Sequence, residues 1–330
     1  MNKKWGYFML PLAFTLVLAG CGTAGNSAQE NQPTTATTEN TAGPVTVTDD
    51  HGEVKLDQPA KRVVVLEWTF AEDLIAVGVQ PVGNADTADY KLWVTPDAAL
   101  DASVTDVGTR AEPNLEAIAA LKPDLIIETS DNTPALYDQL KAIAPTLDYN
   151  MYKDKGYDYD RMVEVFNEIA KAVGKEDQAK QVLADLDTHY DDAKEQLKTA
   201  GKEGMHYALT QAFTSQNAAS LRMFTDNSVV VDTLDKIGLV NDWKSDQFEQ
   251  YGFSTVGIES LSKVKDSSLL YIVQPDDDVF GAPMKNNSVW NQLDFVKEKR
   301  TYALDGTTWT FGGPISSKVL VDQVVGAVTK

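Results

Sequence analysis

Apolar and polar positions divide the chain into stretches with different periods. Phe8 to Ala19 is a 12-residue apolar run, shorter than the roughly 20 residues a membrane-spanning helix needs. Gly22 to Gly43 lacks Val, Ile, Leu, Met and every aromatic residue. Such a stretch cannot bury a core and predicts a flexible tether. From Pro44 onward the pattern is that of a folded body. Val45–Thr48, Asp49-Asp50-His51-Gly52 and Glu53–Leu56 read as a hairpin with His51 solvated in its turn. Arg62–Glu67 and Leu125–Ile127 are short strands, as is Val79–Val82. Ala71–Val77 has helical spacing. Leu115, Ile118, Ala119 and Leu121 mark a second helix face, and Leu136, Leu140 and Ile143 a third. Short buried strands alternating with helices predict a parallel sheet covered on both sides.

The middle of the chain changes period. Met162, Phe166, Ile169, Ala170 and Val173 form one apolar stripe. Ala179, Val182, Leu183, Leu186, Tyr190, Ala193 and Leu197 form another, on a long charged helix over about Glu176 to Ala200. Strand–helix alternation then resumes through Met205–Thr210, Val229–Ile237, Leu269–Val273 and Thr301–Leu304, ending in a helix from Ser316 to Val328. Asn114–Ile127 aligns without a gap on Gly257–Leu270, so that Leu115 meets Ile258, Glu116 meets Glu259 and Ile118 meets Leu261. The predicted architecture is α/β: two Rossmann-like lobes, residues 45–175 and 202–330, joined by one long helix at 176–201. A cleft between two lobes is a usual seat for a small ligand.

Charge and cysteine usage narrow the partners. The 330 residues carry 29 Lys and Arg against 49 Asp and Glu, a formal net charge of −20. That balance excludes nucleic acid as a partner, because binding it rests on neutralising phosphates. The single cysteine excludes an internal disulfide and any Cys-based metal cluster, and three scattered histidines offer no metal site. Lys3 and Lys4 precede the first apolar run, and Leu18-Ala19-Gly20-Cys21 closes it. That run looks like the bacterial lipobox. Residues 1–20 are then a lipoprotein signal peptide, Cys21 carries the lipid, and residues 21–44 tether the body. The expected location is the extracytoplasmic face of the cell membrane, in a Gram-positive bacterium.

No P-loop, G-x-G-x-x-G, G-x-S-x-G or H-E-x-x-H pattern occurs, so an enzyme is not expected. Arginine is scarce: Arg62, Arg110, Arg161, Arg222 and Arg300. Arg110 and Arg222 fall in segments rich in small and polar residues and read as loop residues. A guanidinium there grips paired oxygens as Lys does not. Trp68, Tyr90, Trp93, Tyr251, Trp309 and Phe311 accompany them as candidate ligand walls.

These segments carry a resemblance. Arg62–Trp68, Ala85–Val94, Val107–Glu116, Leu121–Ile126 and Trp309–Gly313 make the chain similar to the substrate-binding lipoproteins of iron–siderophore ABC importers, above all the ferric hydroxamate and ferric citrate binding proteins. The resemblance implies a monomer with a rigid connecting helix and no cofactor. Its ligand is a ferric siderophore, hydroxamate or citrate-hydroxamate in type, with ferric citrate as the alternative. The siderophore holds the iron, so the protein contributes no metal ligand. Arg110 stands where the family meets iron-bound oxygens, and the aromatic residues where it lines the cleft. Hydroxamate-binding members have a Tyr after the strand ending at Ile127; here the stretch is Thr129-Ser-Asp-Asn132. With Arg222 as a second cation, that departure favours a ligand bearing a carboxylate. The resemblance further implies that Glu116 and Glu259, one per lobe, dock on a permease dimer with its ATPase.

Overall fold

The run Val63-Val64-Val65 offers no polar position to turn toward water. The chain buries it fully as the middle strand of a parallel sheet. The computed structural model describes residues 43–132 and 135–330. The signal segment, Cys21 and nearly all of the tether lie outside the described residues. In chain order the first lobe has β1 (Val45–Asp49), β2 (Gly52–Leu56), β3 (Val63–Val65), α1 (Trp68–Ala76), β4 (Gly83–Asn84), α2 (Thr87–Trp93), β5 (Thr105–Asp106), α3 (Leu115–Ala120), β6 (Leu125–Glu128), α4 (Tyr137–Lys141), β7 (Thr146–Asp148) and α5 (Tyr159–Ala172). Its main sheet runs β5-β4-β3-β6-β7, every neighbour parallel. α6 (Glu176–Thr199), 24 residues and so about 36 Å long, leads to the second lobe. There follow β8 (His206–Ser215), β9 (Ala218–Phe224), α7 (Val229–Lys236), β10 (Val240–Asn241), β11 (Phe253–Val256), β12 (Ser268–Ile272), α8 (Ser288–Gln292), α9 (Asp294–Lys297), β13 (Thr301–Leu304) and α10 (Pro314–Val328). The fold is two α/β lobes with one long connecting helix.

The aligned segments land at equivalent places. α3 leads into β6, parallel beside β3, and a 3-10 helix at Ile258–Val264 leads into β12, parallel beside β8. The second lobe departs from the first at β8. The strand expected to stop at Thr210 continues to Ser215, turns through Gln216 and Asn217, and returns antiparallel as β9. Both turn residues have positive φ, 50° and 62°, as a two-residue hairpin requires to match strand twist. Arg222 therefore sits on a strand and not in a loop. In the first lobe, pairing begins at Gly83 and not at Val79. A Cβ on Gly83 would run into the side chains of Leu121 and Val107, so any larger residue there must displace them.

His51 does sit at the β1–β2 turn, but it is not merely solvated. Its Nε2 lies 2.8 Å from Asp148 Oδ2 and its ring stacks on Tyr137. The lobes meet along α1, α5, α6, α7 and α10. Glu72 on α1 is fully buried, and its carboxylate accepts from Ser316 N–H at 2.8 Å and Ser316 Oγ at 2.6 Å. That carboxylate thereby caps α10 from the opposite lobe.

A second acid spans the joint. Asp232 on α7 accepts from the Tyr159 N–H of α5 at 2.9 Å. Burial pushes its carboxyl up to about 6, outweighing that hydrogen bond, and Asp158, Asp235 and Asp160 add to the rise. The folded protein thus holds this proton more tightly than the unfolded chain, and stability falls as pH rises from about 4 to about 6. Asp232→Asn keeps an acceptor for Tyr159 and should flatten that decline. Thermal denaturation from pH 4 to pH 7 checks it; parallel curves for both proteins would remove Asp232 from the effect.

Candidate functional site

In open α/β sheets ligands sit beyond the carboxyl ends of the strands, and here both sheets send their functional residues there. β3 runs out into Glu67 and Trp68, β5 into Arg110, and β6 into Thr129–Asn132. β8 carries Gln211 and Phe213, and the chain beyond β13 carries Trp309 and Phe311. Two cavities result, of about 530 Å³ and 320 Å³, sharing Arg110, Arg222 and Trp309. Trp68, Trp93, Gln211 and Phe213 line the larger. Glu67, Asn132, Tyr152, Tyr251, Phe253 and Phe311 line the smaller.

Arg110 is held before any ligand arrives. Asp86 Oδ2 accepts from its backbone N–H at 2.9 Å and its Nε at 3.4 Å. Glu67 accepts from Nη1 at 3.2 Å, and the guanidinium carbon lies 3.7 Å from the centre of the Trp68 ring. Asn132 donates to the other Glu67 oxygen at 2.9 Å. Glu67 also caps α1 by accepting from Trp68 N–H at 2.8 Å. These bonds engage Nε and Nη1. The Nη2 donors are directed to none of those partners and remain available to an anionic oxygen.

Arg222 reaches the cleft from the other lobe. Its Nη1 donates to Gln211 Oε1 at 3.1 Å, its direct cross-strand neighbour. The guanidinium lies 5.2 Å from the Phe213 ring centre and 5.0 Å from that of Phe253. Among the described residues no carboxylate is within ion-pair distance of it. Burial pulls its pKa down, and Tyr152 partly offsets that. The two arginines thus differ in charge balance: Arg110 is compensated and Arg222 is not.

A continuous aromatic wall joins them. Trp68 and Trp309 have ring centres 5.1 Å apart, Trp309 and Phe311 5.3 Å, Phe311 and Phe253 6.0 Å, and Tyr251 and Tyr152 4.9 Å. Burial, with Glu67 and Asp131 nearby, pushes the Tyr152 phenol well above its usual range, so it stays a neutral donor. The phenol absent after β6 is matched in this cavity by Tyr152 and Tyr251.

Of the sequence-predicted wall, Trp68, Trp93, Tyr251, Trp309 and Phe311 face one or both cavities. Tyr90 does not. It is buried behind Trp68, and its hydroxyl donates to Ala98 O at 2.6 Å; its side of α2 packs into the core. Lys91 and Gln216 are exposed and line neither cavity. Glu116 and Glu259 are exposed in the first turns of their helices, Glu116 behind the Asn114 cap. Sequence reasoning missed Glu67, Gln211, Phe213, Tyr152 and Phe253. The one available signal was an acid, Glu67, wedged between a buried strand and a tryptophan.

A two-lobed body with arginines and aromatic rings gathered at cavities in the cleft has the form of a substrate-binding protein. Residues 63–308 match the family described as periplasmic binding protein. The chain is 32% identical to the Fe(3+)-citrate-binding protein YfmC of Bacillus subtilis, over 99% of this chain and 98% of that one. It is 28% identical to the probable siderophore-binding lipoprotein YfiY of the same organism, covering 98% of each. Among solved structures, the Fe3+–Desferal-bound siderophore-binding protein FhuD of Vibrio cholerae superposes with a TM-score of 0.72 at 27% identity, over 82% of this chain and 98% of that one. The chain belongs to this family, the non-enzymatic substrate-binding lipoproteins of iron–siderophore and ferric citrate ABC importers. No helix among the described residues is long and apolar enough to cross a membrane.

Asp86 supports Arg110 from a left-handed backbone, φ 51° and ψ 45°, which Asp and Asn tolerate better than Ala. Asp86→Ala should therefore cost about 1–2 kcal/mol more stability than Asp86→Asn. Urea denaturation checks this, and equal midpoints would mean that the strain is not held there.

Proposed function

We propose that the cleft captures a ferric siderophore, hydroxamate or citrate-hydroxamate in type. The protein, held on the extracytoplasmic face of the cell membrane through lipid on Cys21, passes it to an ABC permease. The observation that carries this reading is the convergence of Arg110 and Arg222, from opposite lobes, on the aromatic junction of the two cavities. Ferric iron is substrate here, wrapped in the oxygens of its chelator. Among the described residues no group of three or more His, Cys, Asp or Glu converges as a metal site. In this reading the polar groups facing the cavity address the outer surface of the chelate. Charge-assisted hydrogen bonds from the arginines meet its anionic oxygens. The phenols of Tyr152 and Tyr251 and the amide of Asn132 offer donors to further oxygens, while the tryptophans cover the apolar chelator backbone. Ferric citrate is the second reading, supported by uncompensated Arg222 and by the citrate-binding relative.

Trp68, Trp93 and Trp309 at the cavities make binding visible. Ferric hydroxamate or citrate-hydroxamate chelates should quench intrinsic fluorescence at sub-micromolar concentration. Arg222→Ala should weaken that binding about tenfold or more, the loss of a charged hydrogen bond. Full-strength binding by Arg222→Ala would remove this residue from the site. A panel in which no ferric chelate quenches would remove the function.

Delivery calls for a surface apart from the cleft. Glu116 and Glu259, exposed and matched between the lobes, suit paired basic groups on a two-fold permease. Glu116→Ala with Glu259→Ala should leave chelate affinity unchanged while reducing cellular iron uptake several-fold. Normal uptake by the double variant would refute the docking role.

A further inference from the structure

A carboxylate in a cavity meant for anionic oxygens needs a reason. Glu67 lines the smaller cavity and is 9% exposed. Holding Arg110 does not require its charge. Asp86 already takes the Arg110 backbone N–H and Nε. The α1 cap and the Asn132 bond each need only an acceptor oxygen, one on each side of the carboxylate, and neither needs a charge. What the charge of Glu67 adds is compensation. Two guanidiniums, Arg110 and Arg222, face this cavity together with two carboxylates, Glu67 and Asp131. Asp131 is itself held by Thr129 Oγ1 and Met151 N–H, both at 3.0 Å.

We propose that Glu67 sets the charge of the cavity and thereby discriminates against polyanionic ferric chelates in favour of neutral or singly charged ones. The proposal rests on the reading that the cleft takes a ferric chelate. A neutral chelate enters a charge-balanced, aromatic-walled cavity without disturbing the Arg110–Glu67 pair. It can still direct one or two oxygens at Arg110 and Arg222. Each further negative charge on the chelate lies among the same partners and is repelled by Glu67 in an environment that screens poorly. Specificity is a difference between two affinities, and a fixed repulsive charge is an economical way to create it. Arg222 bears no such compensation, which leaves room for one ligand carboxylate. Glu67 acts here as a specificity-determining residue, through charge more than through shape.

The test compares two probes on the intact protein by tryptophan quenching: ferrioxamine E, a neutral ferric trihydroxamate, and ferric dicitrate, a polyanion. Glu67→Gln keeps a side-chain acceptor for the α1 cap and should shift the affinity ratio toward ferric dicitrate about tenfold or more, the effect of removing one like charge. Glu67→Asp keeps the charge on a shorter arm and should keep the wild-type ratio even where both affinities fall. Glu195→Gln removes an exposed charge on α6, away from both cavities, and should leave the ratio within about twofold. An unchanged ratio in Glu67→Gln overturns the proposal, and so does an equal shift in Glu67→Asp or Glu195→Gln. Should Glu67→Gln fail to fold, Asp131→Asn takes its place with a shift in the same direction, and no shift there overturns the proposal as well. A wild-type protein that binds chelates but shows an unchanged ratio in the variants overturns the role of Glu67 alone. A wild-type protein blind to every ferric chelate overturns the function with it.

Discussion

The cleft depends on one buried joint. Glu72, at the core face of α1 in the first lobe, holds Ser316 at the start of α10 in the second lobe through both oxygens. Around it, Thr69 donates to Phe311 O at 2.6 Å and Tyr157 to Gly312 O at 3.1 Å. A buried carboxylate is costly unless its lone pairs are filled, so Glu72 leaves the two elements little freedom to slide. The constraint explains Gly312 and Gly313. A Cβ on the first would overlap Ser316 and Glu72, and on the second Asp73. Because Trp309 and Phe311 precede this joint by a few residues, the wall contributed by the second lobe is set by a helix of the first.

The same helix begins at the cleft. Glu67 caps its first turn and grips Arg110, and Trp68 lies under the guanidinium. One short helix thus carries the charge-compensating acid, a stacking surface and the lobe joint, at its N-cap, its first residue and its fifth. Moving any of these would move the others. A ligand meeting such a cleft finds donors already oriented, which lowers the ordering cost of binding. The second lobe supplies the contrast: Arg222, on a hairpin strand between two phenylalanines, with an amide neighbour and no acid.

The legible part of the site is instructive. Trp68 and Arg110 stand out because tryptophans and arginines are few and these two closely follow strands. Tyr90 joins them on residue type alone and fails. Side-chain type does not say which face of α2 it occupies, and the core took it. Arg222 reads as a loop residue because its segment is rich in small and polar residues, and Gln216-Asn217 is not the Asn-Gly pair that marks a tight hairpin. Glu67 passed unnoticed because its partners Arg110 and Asn132 are 43 and 65 positions away.

The sequence by itself determined what short-range spacing encodes. It determined the alternation of strands and helices, the long helix from Glu176 to Thr199 and the likeness of the two lobes. Each rests on side chains within a few residues of one another, where period alone separates buried from solvated faces. Only the tertiary structure decided which charges cancel. Arg110 became a compensated cation and Arg222 an uncompensated one through contacts between elements far apart in the chain. Coulomb and desolvation energies depend on distance in space and on burial, and neither is written in the local pattern of residues.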